Sequence, residues 1–504
     1  MRSPFKIATL TGLIAAFLFL TAVPAVLAQV KQRPAASSLK TNAKKAELVA
    51  RLEKLIPQLM TDGGVPGISV LLIHDNKVFW QRAFGVANAE TKQPITEDTI
   101  FEAASLSKPV FAYGVLKLAD AGKLDLDTPL VKYLPGAYVE SDERLNQITA
   151  RMVLSHRTGF PNWRRGDQLK INFTPGERFS YSGEGFVYLQ KVVERLTNGT
   201  LDAFMQKTVF GPLGMTSSSY VWQDRYESRK TYGHDSFGSV TGRRKPTEAN
   251  AAASLHTTAA DYAKFVMAVM TGAGLKKQTA REMLTPYVKV QEGCTDCVTN
   301  PTTGALSQNV SWGLGWGLQH TADGDSFWHW GDSNNDAQAY VVAFPKQRLA
   351  LAVFANSGNG HSIIPRIIDA AIGGEQPAVT WLNYDPYDSP FRVFARDILA
   401  RGGAAINEYR ERIKTGAPAL SEVQMNRLGY ALLSKKMLDA AVEVFKLNVE
   451  AFPESWNVYD SLGEAYMLKG EKESAIKNYQ KSVELNPKNE GGIEALKKLK
   501  GMQN

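Results

Sequence analysis

Strand-like segments stand at both ends of the first 372 residues of this 504-residue chain, with a mainly helical stretch between them. The turn residues Asp75-Asn76-Lys77 join the first two segments and predict a β-hairpin. Residues 105–270 show helical spacing of apolar positions and Gly/Pro-rich connections. Because strands from both ends of a segment can enter one antiparallel sheet, we expect an α+β fold with terminal helices flanking that sheet and a helical subdomain beside it. The strand-like segments are 68–74, 78–84, 313–318, 327–330, 337–344 and 349–355, and the terminal helices are expected at 41–60 and 363–372.

The last part of the chain repeats itself at a spacing of 34 residues. A stretch rich in Gly, Pro, Asn, Asp and Tyr at 373–390 separates it from the first domain. The period and its small and aromatic positions resemble tetratricopeptide repeats, each a helical hairpin, so we expect an all-α tail. Because two repeats alone bury little apolar surface, we expect them to pack against helices within 391–414. Matching positions are Leu428-Gly429 and Leu462-Gly463, Ala441 and Ala475, Phe445 and Tyr479, and Pro453 and Pro487.

The N-terminus has the pattern of a secretory signal peptide. Arg2 and Lys6 precede an apolar run at 7–23, and Val26-Leu-Ala28 offers a small-residue cleavage site. The apolar run is slightly short for a full membrane span, so we expect cleavage and export to the periplasm, with an uncleaved membrane anchor as the alternative. The expected divisions are a signal peptide (1–28), a basic polar arm (29–44), the α+β domain (45–373), a linker with helices (374–420) and the repeats (421–504).

The positive charge of the chain is concentrated near its N-terminus. The formal net charge is +8, and residues 1–60 alone contain nine Lys or Arg against two acidic residues, so the remainder is close to neutral. This distribution does not support a nucleic-acid partner. We expect membrane contact only through the leader, if it stays uncleaved.

The two cysteines, Cys294 and Cys297, form a Cys-x-x-Cys pair. In a secreted protein such a pair can be a local disulfide, a redox site or half of a zinc site. A second Cys/His pair at zinc-finger spacing is absent from the sequence, and the Gly, Thr, Asn and Pro around the pair indicate a loop rather than the start of a helix. We therefore expect a structural disulfide, worth about 2 kcal/mol through loop-closure entropy.

Three short motifs carry the chemistry of the α+β domain: Ser105-Leu-Ser-Lys108, Tyr181-Ser-Gly183 and His329-Trp-Gly331. A serine alone is a poor nucleophile, but this spacing on a helix puts a potential base one turn from the hydroxyl. A helix N-cap is the structural alternative for Ser105. Tyr181 can be a second proton carrier, and a His-x-Gly strand can line the other wall of a cleft. Together the motifs predict a serine acyl-transfer enzyme without a Ser-His-Asp triad.

With these motifs, residues of the α+β domain resemble the serine β-lactamase and penicillin-recognising superfamily, in its branch of class C-like β-lactamases, DD-peptidases and related esterases. The resemblance implies that Ser105 is the acylated nucleophile and Lys108 its partner. Tyr181 would shuttle protons, as a phenolate or as a neutral relay. The backbone N–H groups of Ser105 and Asp332 would form the oxyanion hole. Further segments that carry the resemblance are Ile148-Thr-Ala-Arg-Met-Val-Leu-Ser-His156-Arg-Thr-Gly159, Gly211-Pro-Leu-Gly-Met215 and Trp312-Gly-Leu-Gly-Trp-Gly317.

Two motif positions differ from the family pattern. The second motif of the family is usually Tyr-x-Asn, whose asparagine commonly holds the amide of a β-lactam or peptide, and here Gly183 stands in that place. The third motif is often Lys-Thr-Gly, for which His329-Trp-Gly331 stands here; a histidine can donate a hydrogen bond but is a weaker carboxylate anchor at neutral pH. By this resemblance Gly183, His329, Trp330 and Gly331 are the substrate-binding residues.

We expect no catalytic role for two other candidates, the Lys-Thr-Gly sequence at 414–416 and His156. A literal Lys414-Thr-Gly416 follows a helical stretch rather than lying on the required strand. The resemblance places His156 in a structural loop. The remaining histidines have no shared spacing that suggests a metal site, and a Gly-rich phosphate loop after a strand is absent from the sequence, so we expect neither metal nor cofactor.

These observations lead to one functional expectation and one alternative. We expect a secreted serine hydrolase that forms an acyl-enzyme at Ser105 and acts on an ester, a D-amino-acid peptide or a β-lactam. The expected partners are a small-molecule or peptide substrate and a protein that contacts the repeats. The alternative is a non-catalytic protein that binds peptidoglycan fragments or penicillin and recruits a partner through its repeats.

Overall fold

The computed structural model describes residues 39–501 except 41–43, 137, 140, 165, 167, 293–294, 296–303, 305 and 334–335. The predictions for the leader, for most of the basic arm and for the pair Cys294 and Cys297 lie outside the described residues. Within the described part of the chain, no helix combines the length and apolar character needed to cross a membrane.

An eight-stranded antiparallel sheet forms the centre of the first domain. Its strands follow the order β2-β1-β12-β11-β10-β9-β8-β7, and β3 with β6 and β4 with β5 form two small separate pairs. Strands from the N-terminal and C-terminal ends of the domain are thus neighbours, as predicted. The strands are β1 (Gly67–His74), β2 (Lys77–Gly85), β3 (Phe101–Glu102), β4 (Gly233–His234), β5 (Val240–Gly242), β6 (His256–Thr257), β7 (Val288–Lys289), β8 (Val310–Trp312), β9 (Gly317–Thr321), β10 (Gly324–Asp332), β11 (Gln338–Phe344) and β12 (Leu349–Ala355).

The helices fall into a terminal pair, an inserted helical region and a tail. They are α1 (Lys45–Gly63), α2 (Ser107–Asp120), α3 (Ala150–Leu154), α4 (Gly183–Thr197), α5 (Leu201–Met205), α6 (Gly211–Leu213), α7 (Ala259–Thr271), α8 (Lys277–Met283), α9 (Leu306–Asn309), α10 (Gly360–Ala371), α11 (Pro377–Leu382), α12 (Pro390–Arg401), α13 (Gly403–Lys414), α14 (Glu422–Ser434), α15 (Leu438–Ala451), α16 (Trp456–Lys469), α17 (Lys472–Leu485) and α18 (Glu490–Gly501).

The central sheet separates two apolar cores. Along β12, Leu351 and Val353 point to the core that contains α1 and α10, whereas Ala352 and Phe354 point to the core that contains α2 and α7. This alternation follows from the two-residue period of a strand, and it explains why the strands of the middle of the sheet are apolar at every position. The expected α+β class, with terminal helices on one face and the helical region on the other, is confirmed.

Two local predictions differ from the structure. The first hairpin turn contains only Asp75 and Asn76, both at φ 55°, and Lys77 already belongs to β2. Two left-handed residues match the twist of the flanking strands better than a three-residue loop. The strand expected from residue 313 starts at Gly317, because Gly315 adopts φ 87° and the Gly313 N–H donates to Trp316 O at 2.8 Å, which makes a turn.

The repeated contacts of the tail explain its period. A Cβ atom on Gly429 would lie 2.4 Å from the Phe445 ring, and one on Gly463 would lie 3.1 Å from the Tyr479 ring. Each glycine therefore lets an aromatic ring of the next helix approach the backbone, which accounts for the predicted small and aromatic positions. The tail core, formed by α12 to α16, also includes Phe237 from the β4–β5 hairpin of the first domain.

Candidate active site

Ser105 lies on a tight turn that presents its side chain to a cavity. A 3-10 turn, Ala104–Leu106, connects β3 to α2, and we call it the nucleophile turn. Ala104 has φ 47°, a left-handed conformation that is strained for a residue with a Cβ atom. Ser105 is only partly buried, while every other residue from 101 to 112 is buried. The turn thus presents one hydroxyl group from an otherwise closed core.

Three hydrogen bonds fix the nucleophile turn to the helical region. The Tyr220 hydroxyl donates to Ser107 O at 2.7 Å, and the Tyr262 hydroxyl donates to Leu106 O at 3.0 Å. The Leu255 N–H donates to Ser107 Oγ at 2.9 Å. Buried tyrosines that satisfy backbone carbonyls keep this strained turn in one conformation.

Lys108 contacts the Ser105 hydroxyl from inside the protein. Its Nζ lies 3.1 Å from Ser105 Oγ and donates to Ala252 O at 2.8 Å. The side chain is completely buried, and this burial lowers the pKa of Lys108 well below its usual value. A neutral lysine has a lone pair that can accept the serine proton.

The ring of Tyr181 lies over Lys108, whose Nζ is 4.7 Å from the ring centroid. Ring contacts with His156 at 4.2 Å and with Trp330 at 4.8 Å hold it in place. Burial raises the pKa of Tyr181 far above its usual value, although the nearby Ser105 side chain acts in the opposite direction. Among the described residues its buried hydroxyl has no hydrogen-bond partner of normal geometry.

His156 supports Tyr181. It has φ 54°, its ring is buried, and its Nδ1 accepts a hydrogen bond from the Ser182 N–H at 3.0 Å. Burial, followed by the charges of Lys108 and His329, lowers the pKa of His156 well below its usual value. His156 is therefore a neutral ring that stacks on Tyr181.

The third motif lies on β10, directly against the nucleophile turn. A Cβ atom on Gly331 would be 2.3 Å from Ala103 O, so only glycine permits this approach. Trp330, on the opposite face of the strand, lines the cavity. His329 is fully buried, with Nδ1 2.7 Å from Trp330 O, and burial together with the charge of Lys108 lowers its pKa to about 3. The structure thus places His329 behind the cavity wall.

The motifs meet at a cavity of about 550 Å³. Ser105 and Tyr181 lie on its wall together with Asp332, the residue expected to complete the oxyanion hole. Its lining also contains residues that sequence reasoning did not identify: Glu102, Ala104, Asn162, Trp163, Arg244, Ala253, Thr295, Ser333, Leu382 and Tyr384.

Trp163 and Tyr384 are the principal unexpected members of the wall. A Cβ atom on Gly183 would lie 2.7 Å from the Trp163 ring, so the indole covers this glycine. Tyr384 follows α11, beyond the first domain, packs against His361 with ring centroids 4.2 Å apart, and places its hydroxyl 3.5 Å from Asp332 Oδ2. Gly183, which stands where the family usually has asparagine, is a sequence signal from which a covering group could have been inferred.

A charge cluster borders the cavity, in which Glu102 and Lys230 are buried and Arg244 is exposed. The carboxylate of Glu102 lies 3.3 Å from Arg244 and 3.9 Å from Lys230, and it accepts a hydrogen bond from the Ser333 hydroxyl. These cations balance the carboxylate at the cavity edge. Elsewhere, Lys414 occupies the last turn of α13 and pairs with Glu411 at 2.8 Å, in the tail. The described residues contain no cluster of three potential metal ligands.

Comparisons with known proteins agree with this architecture. A tetratricopeptide repeat family model matches residues 456–489. The chain is 23% identical over 339 residues to Protein flp of Staphylococcus aureus (strain COL), covering 63% of this chain and 65% of that protein, so it spans less than two thirds of that relative. It is 25% identical over 361 residues to Penicillin-binding protein 4 of Amycolatopsis lactamdurans (64% of this chain, 89% of that protein) and 29% identical over 208 residues to Esterase EstB of Burkholderia gladioli (35% and 52%).

The solved structure of D-alanine carboxypeptidase AmpC from Burkholderia cenocepacia has the same fold. It aligns with a TM-score of 0.54 at 20% identity, covering 65% of this chain and 98% of that chain. The family model described as Beta-lactamase matches residues 52–370, which is more than half of the chain and includes all three motifs. The chain therefore belongs to the β-lactamase family.

Proposed function

We propose that this protein is a serine hydrolase that forms an acyl-enzyme at Ser105. The observation that carries the proposal is the 3.1 Å contact between Ser105 Oγ and Lys108 Nζ, where burial lowers the pKa of the lysine and so favours its neutral form. A neutral amine at hydrogen-bond distance is what a serine needs to become a nucleophile. A side chain with a purely structural role has no need for this combination.

In the proposed reaction, Ser105 Oγ attacks the carbonyl carbon of the substrate while its proton passes to Lys108 Nζ. The bond from that carbon to the leaving oxygen or nitrogen then breaks, and the leaving group takes a proton from Tyr181, which is reprotonated through Lys108. A water molecule attacks the acyl-serine, releases the carboxylic acid and restores the Ser105 hydroxyl. Because burial raises the pKa of Tyr181, we favour the neutral relay over the phenolate.

The backbone N–H groups of Ser105 and Asp332 are proposed to hold the oxyanion. The close approach of Gly331 to Ala103 supports this assignment, since it brings the end of β10 against the nucleophile turn. Preorganised backbone donors at such a position commonly contribute about 3 kcal/mol to transition-state stabilisation.

The substrate is proposed to be a carboxylic ester or a D-amino-acid peptide, with β-lactams as a side activity. The relative named as an esterase and the structure named as a D-alanine carboxypeptidase support these two classes. We further propose that residues 1–28 direct export to the periplasm, that residues 45–373 form the catalytic domain, and that the repeats bind a protein partner.

Intact-mass analysis after exposure to a fluorophosphonate probe tests the nucleophile. The wild-type protein should gain the mass of one probe less HF, because Ser105 displaces fluoride, and should hydrolyse p-nitrophenyl acetate; Ser105→Ala should do neither. Ser474→Ala is the matched control, because Ser474 and Lys477 have the same spacing on a helix of the tail. Labelling of a folded Ser105→Ala variant would overturn the proposal.

Penicillin exposure of the same proteins distinguishes the substrate classes. A lasting adduct on the wild type alone would indicate a slowly deacylating, peptidoglycan-directed site. Absence of both adduct and penicillin hydrolysis, with ester turnover retained, would indicate an esterase. Binding of penicillin without adduct or ester turnover would favour the non-catalytic alternative.

A further inference from the structure

We propose that the site selects acyl groups with an apolar chain and disfavours acyl groups that carry an amide, because the indole of Trp163 occupies the position above Gly183. This inference rests on the proposed acyl-enzyme at Ser105 and names the acyl class that this enzyme accepts.

The contact between Trp163 and Gly183 is close and specific. A Cβ atom on Gly183 would lie 2.7 Å from Cη2, 2.9 Å from Cζ2 and 3.0 Å from Cζ3 of the indole. The six-membered edge of the ring therefore rests on the glycine Cα. Gly183 does not have a positive φ, so the backbone conformation does not demand glycine there. Packing of the indole is the reason that position 183 has no side chain.

The loop that carries Trp163 is anchored to the same helix end. Asn162 Oδ1 accepts a hydrogen bond from the Gly183 N–H at 3.0 Å, and Asn162 O accepts one from the Glu184 N–H at 2.9 Å. These two bonds fix the residue next to Trp163 at the start of α4. The chain next to Trp163 is thus anchored at the start of α4.

The indole offers apolar surface next to the reacting atoms. Trp163 is 43% exposed although it lines the cavity, and its ring centroid lies 5.8 Å from Lys108 Nζ. Tyr181 and Trp330, with ring centroids 4.8 Å apart, belong to the same cavity wall. Apolar surface left open inside a cavity indicates an apolar ligand group. A chain packed there should gain about fourfold in kcat/KM for each buried methylene.

An amide in the acyl chain is unfavourable on this surface. Its N–H and C=O would lose water on contact with the indole, and position 183 offers no side chain to replace it. An amide that is buried without hydrogen-bond partners costs binding free energy, so the site should disfavour acyl groups that contain one. Among the polar groups of the cavity wall, Glu102 and Arg244 already pair with each other at 3.3 Å, and Asn162 Oδ1 already accepts a hydrogen bond from the Gly183 N–H.

Two esters of equal chain length test the inference directly: p-nitrophenyl pentanoate and the p-nitrophenyl ester of N-acetylglycine. The acyl chains have the same number of main-chain atoms and differ by one amide group. The wild type should prefer the pentanoyl ester by about tenfold or more in kcat/KM. Trp163→Ala should lower the ratio of kcat/KM for the pentanoyl ester to that for the acetyl ester by about tenfold. Trp456→Ala, which removes a half-exposed tryptophan of the tail, is the matched control.

Substitution of Gly183 provides a second measurement. Gly183→Asn should impair both esters, since its Cβ would overlap the indole. The double variant Trp163→Ala/Gly183→Asn removes the overlap and adds an amide, and its preference should shift towards the N-acetylglycyl ester. Circular dichroism and thermal unfolding verify that each variant folds.

The outcomes separate this inference from the proposed function. A wild type that prefers the N-acetylglycyl ester, for example through the Asn162 amide, would overturn the inference and leave the Ser105 acyl-enzyme intact. An equal loss on acetyl and pentanoyl esters in Trp163→Ala would also overturn it. Calorimetric binding of both intact esters to Ser105→Ala makes the same comparison without turnover, so a failure of the proposed chemistry does not prevent the test.

Discussion

At the scale of single residues, the site depends on Lys108 being a base rather than a cation. The lysine is buried without an ion-pair partner among the described residues, and its contacts are the Ser105 hydroxyl and a backbone carbonyl. Desolvation disfavours the ammonium form, so the pKa of Lys108 falls well below its usual value. Burial, followed by the charge of Lys108, likewise lowers the pKa values of His156 and His329.

This arrangement predicts the pH dependence of the reaction. Only the unprotonated lysine can accept the serine proton, so kcat/KM should decrease as the pH falls below the lowered pKa of Lys108. Lys108→Arg keeps a cation that does not release its proton. It should reduce kcat/KM by roughly 100-fold or more at neutral pH, the usual contribution of a general base. A pH–rate profile of p-nitrophenyl acetate hydrolysis measures both effects.

Lys117→Arg on the same helix is the control for that variant. Lys117 lies in the last turn of α2, and its Nζ donates to Gly274 O at 3.3 Å in an exposed position. This substitution should leave the pH–rate profile unchanged. Full activity of a folded Lys108→Arg variant would contradict the assignment of Lys108 as the base.

At the scale of secondary-structure elements, glycines set how closely the elements approach. Gly331 allows β10 to contact the nucleophile turn, and Gly429 and Gly463 allow aromatic rings to contact α14 and α16. The two tail glycines occupy equivalent repeat positions but differ in clearance, 2.4 Å against 3.1 Å for an added Cβ atom. This difference makes the repeats suitable for a matched comparison.

Gly429→Ala should therefore destabilise the tail more than Gly463→Ala. A Cβ atom at 2.4 Å forces the Phe445 ring to move, and overpacking of this kind costs about 1 to 3 kcal/mol. At Gly463 the Tyr479 ring needs to shift by only a few tenths of an ångström. The higher helix propensity of alanine offsets much of the resulting loss in the free energy of unfolding. Urea unfolding followed by circular dichroism measures both variants. Equal destabilisation would show that the two repeats do not differ in packing at this contact.

Elements that are marked by a local apolar periodicity, by the 34-residue repeat or by turn residues could be predicted from the sequence. The individual strands, the terminal helices and the repeats each follow from local patterns in the sequence, whereas the pairing of β1 with β12 joins segments from opposite ends of the domain. The side of the cavity on which each motif residue lies depends on contacts between distant segments. Strand alternation puts His329 and Gly331 on one face of β10, but only the contact between Gly331 and Ala103 determines that this face meets the nucleophile turn. The covering of Gly183 by Trp163 and the position of Tyr384 on the cavity wall likewise depend on contacts between distant segments.

At the scale of the whole molecule, the segment after the first domain joins the cavity to the tail. Leu382 and Tyr384 line the cavity, and the Trp381 indole N–H donates to Gln291 O at 2.7 Å. Two arginines of α12 donate hydrogen bonds to the backbone that follows Tyr384. Arg392 Nε donates to Asp385 O at 3.1 Å, and Arg396 donates to Tyr387 O at 2.7 Å. The wall of the cavity is thus attached to the first helix of the tail.

This attachment predicts that Arg392 affects substrate binding although it lies outside the cavity lining. Arg392→Met removes the bonds to Asp385 O and to the Asn359 side chain while keeping most of the apolar stem. We expect the loosened wall to raise KM for p-nitrophenyl esters by about threefold to tenfold and to leave kcat and fluorophosphonate labelling nearly unchanged. Arg401→Met on the same helix is the control, since among the described residues Arg401 forms ion pairs only with Asp397 and Glu408, at the exposed end of α12. Identical kinetics of the two variants would show that α12 does not position the cavity wall, whereas a selective rise of KM in Arg392→Met would show that it does.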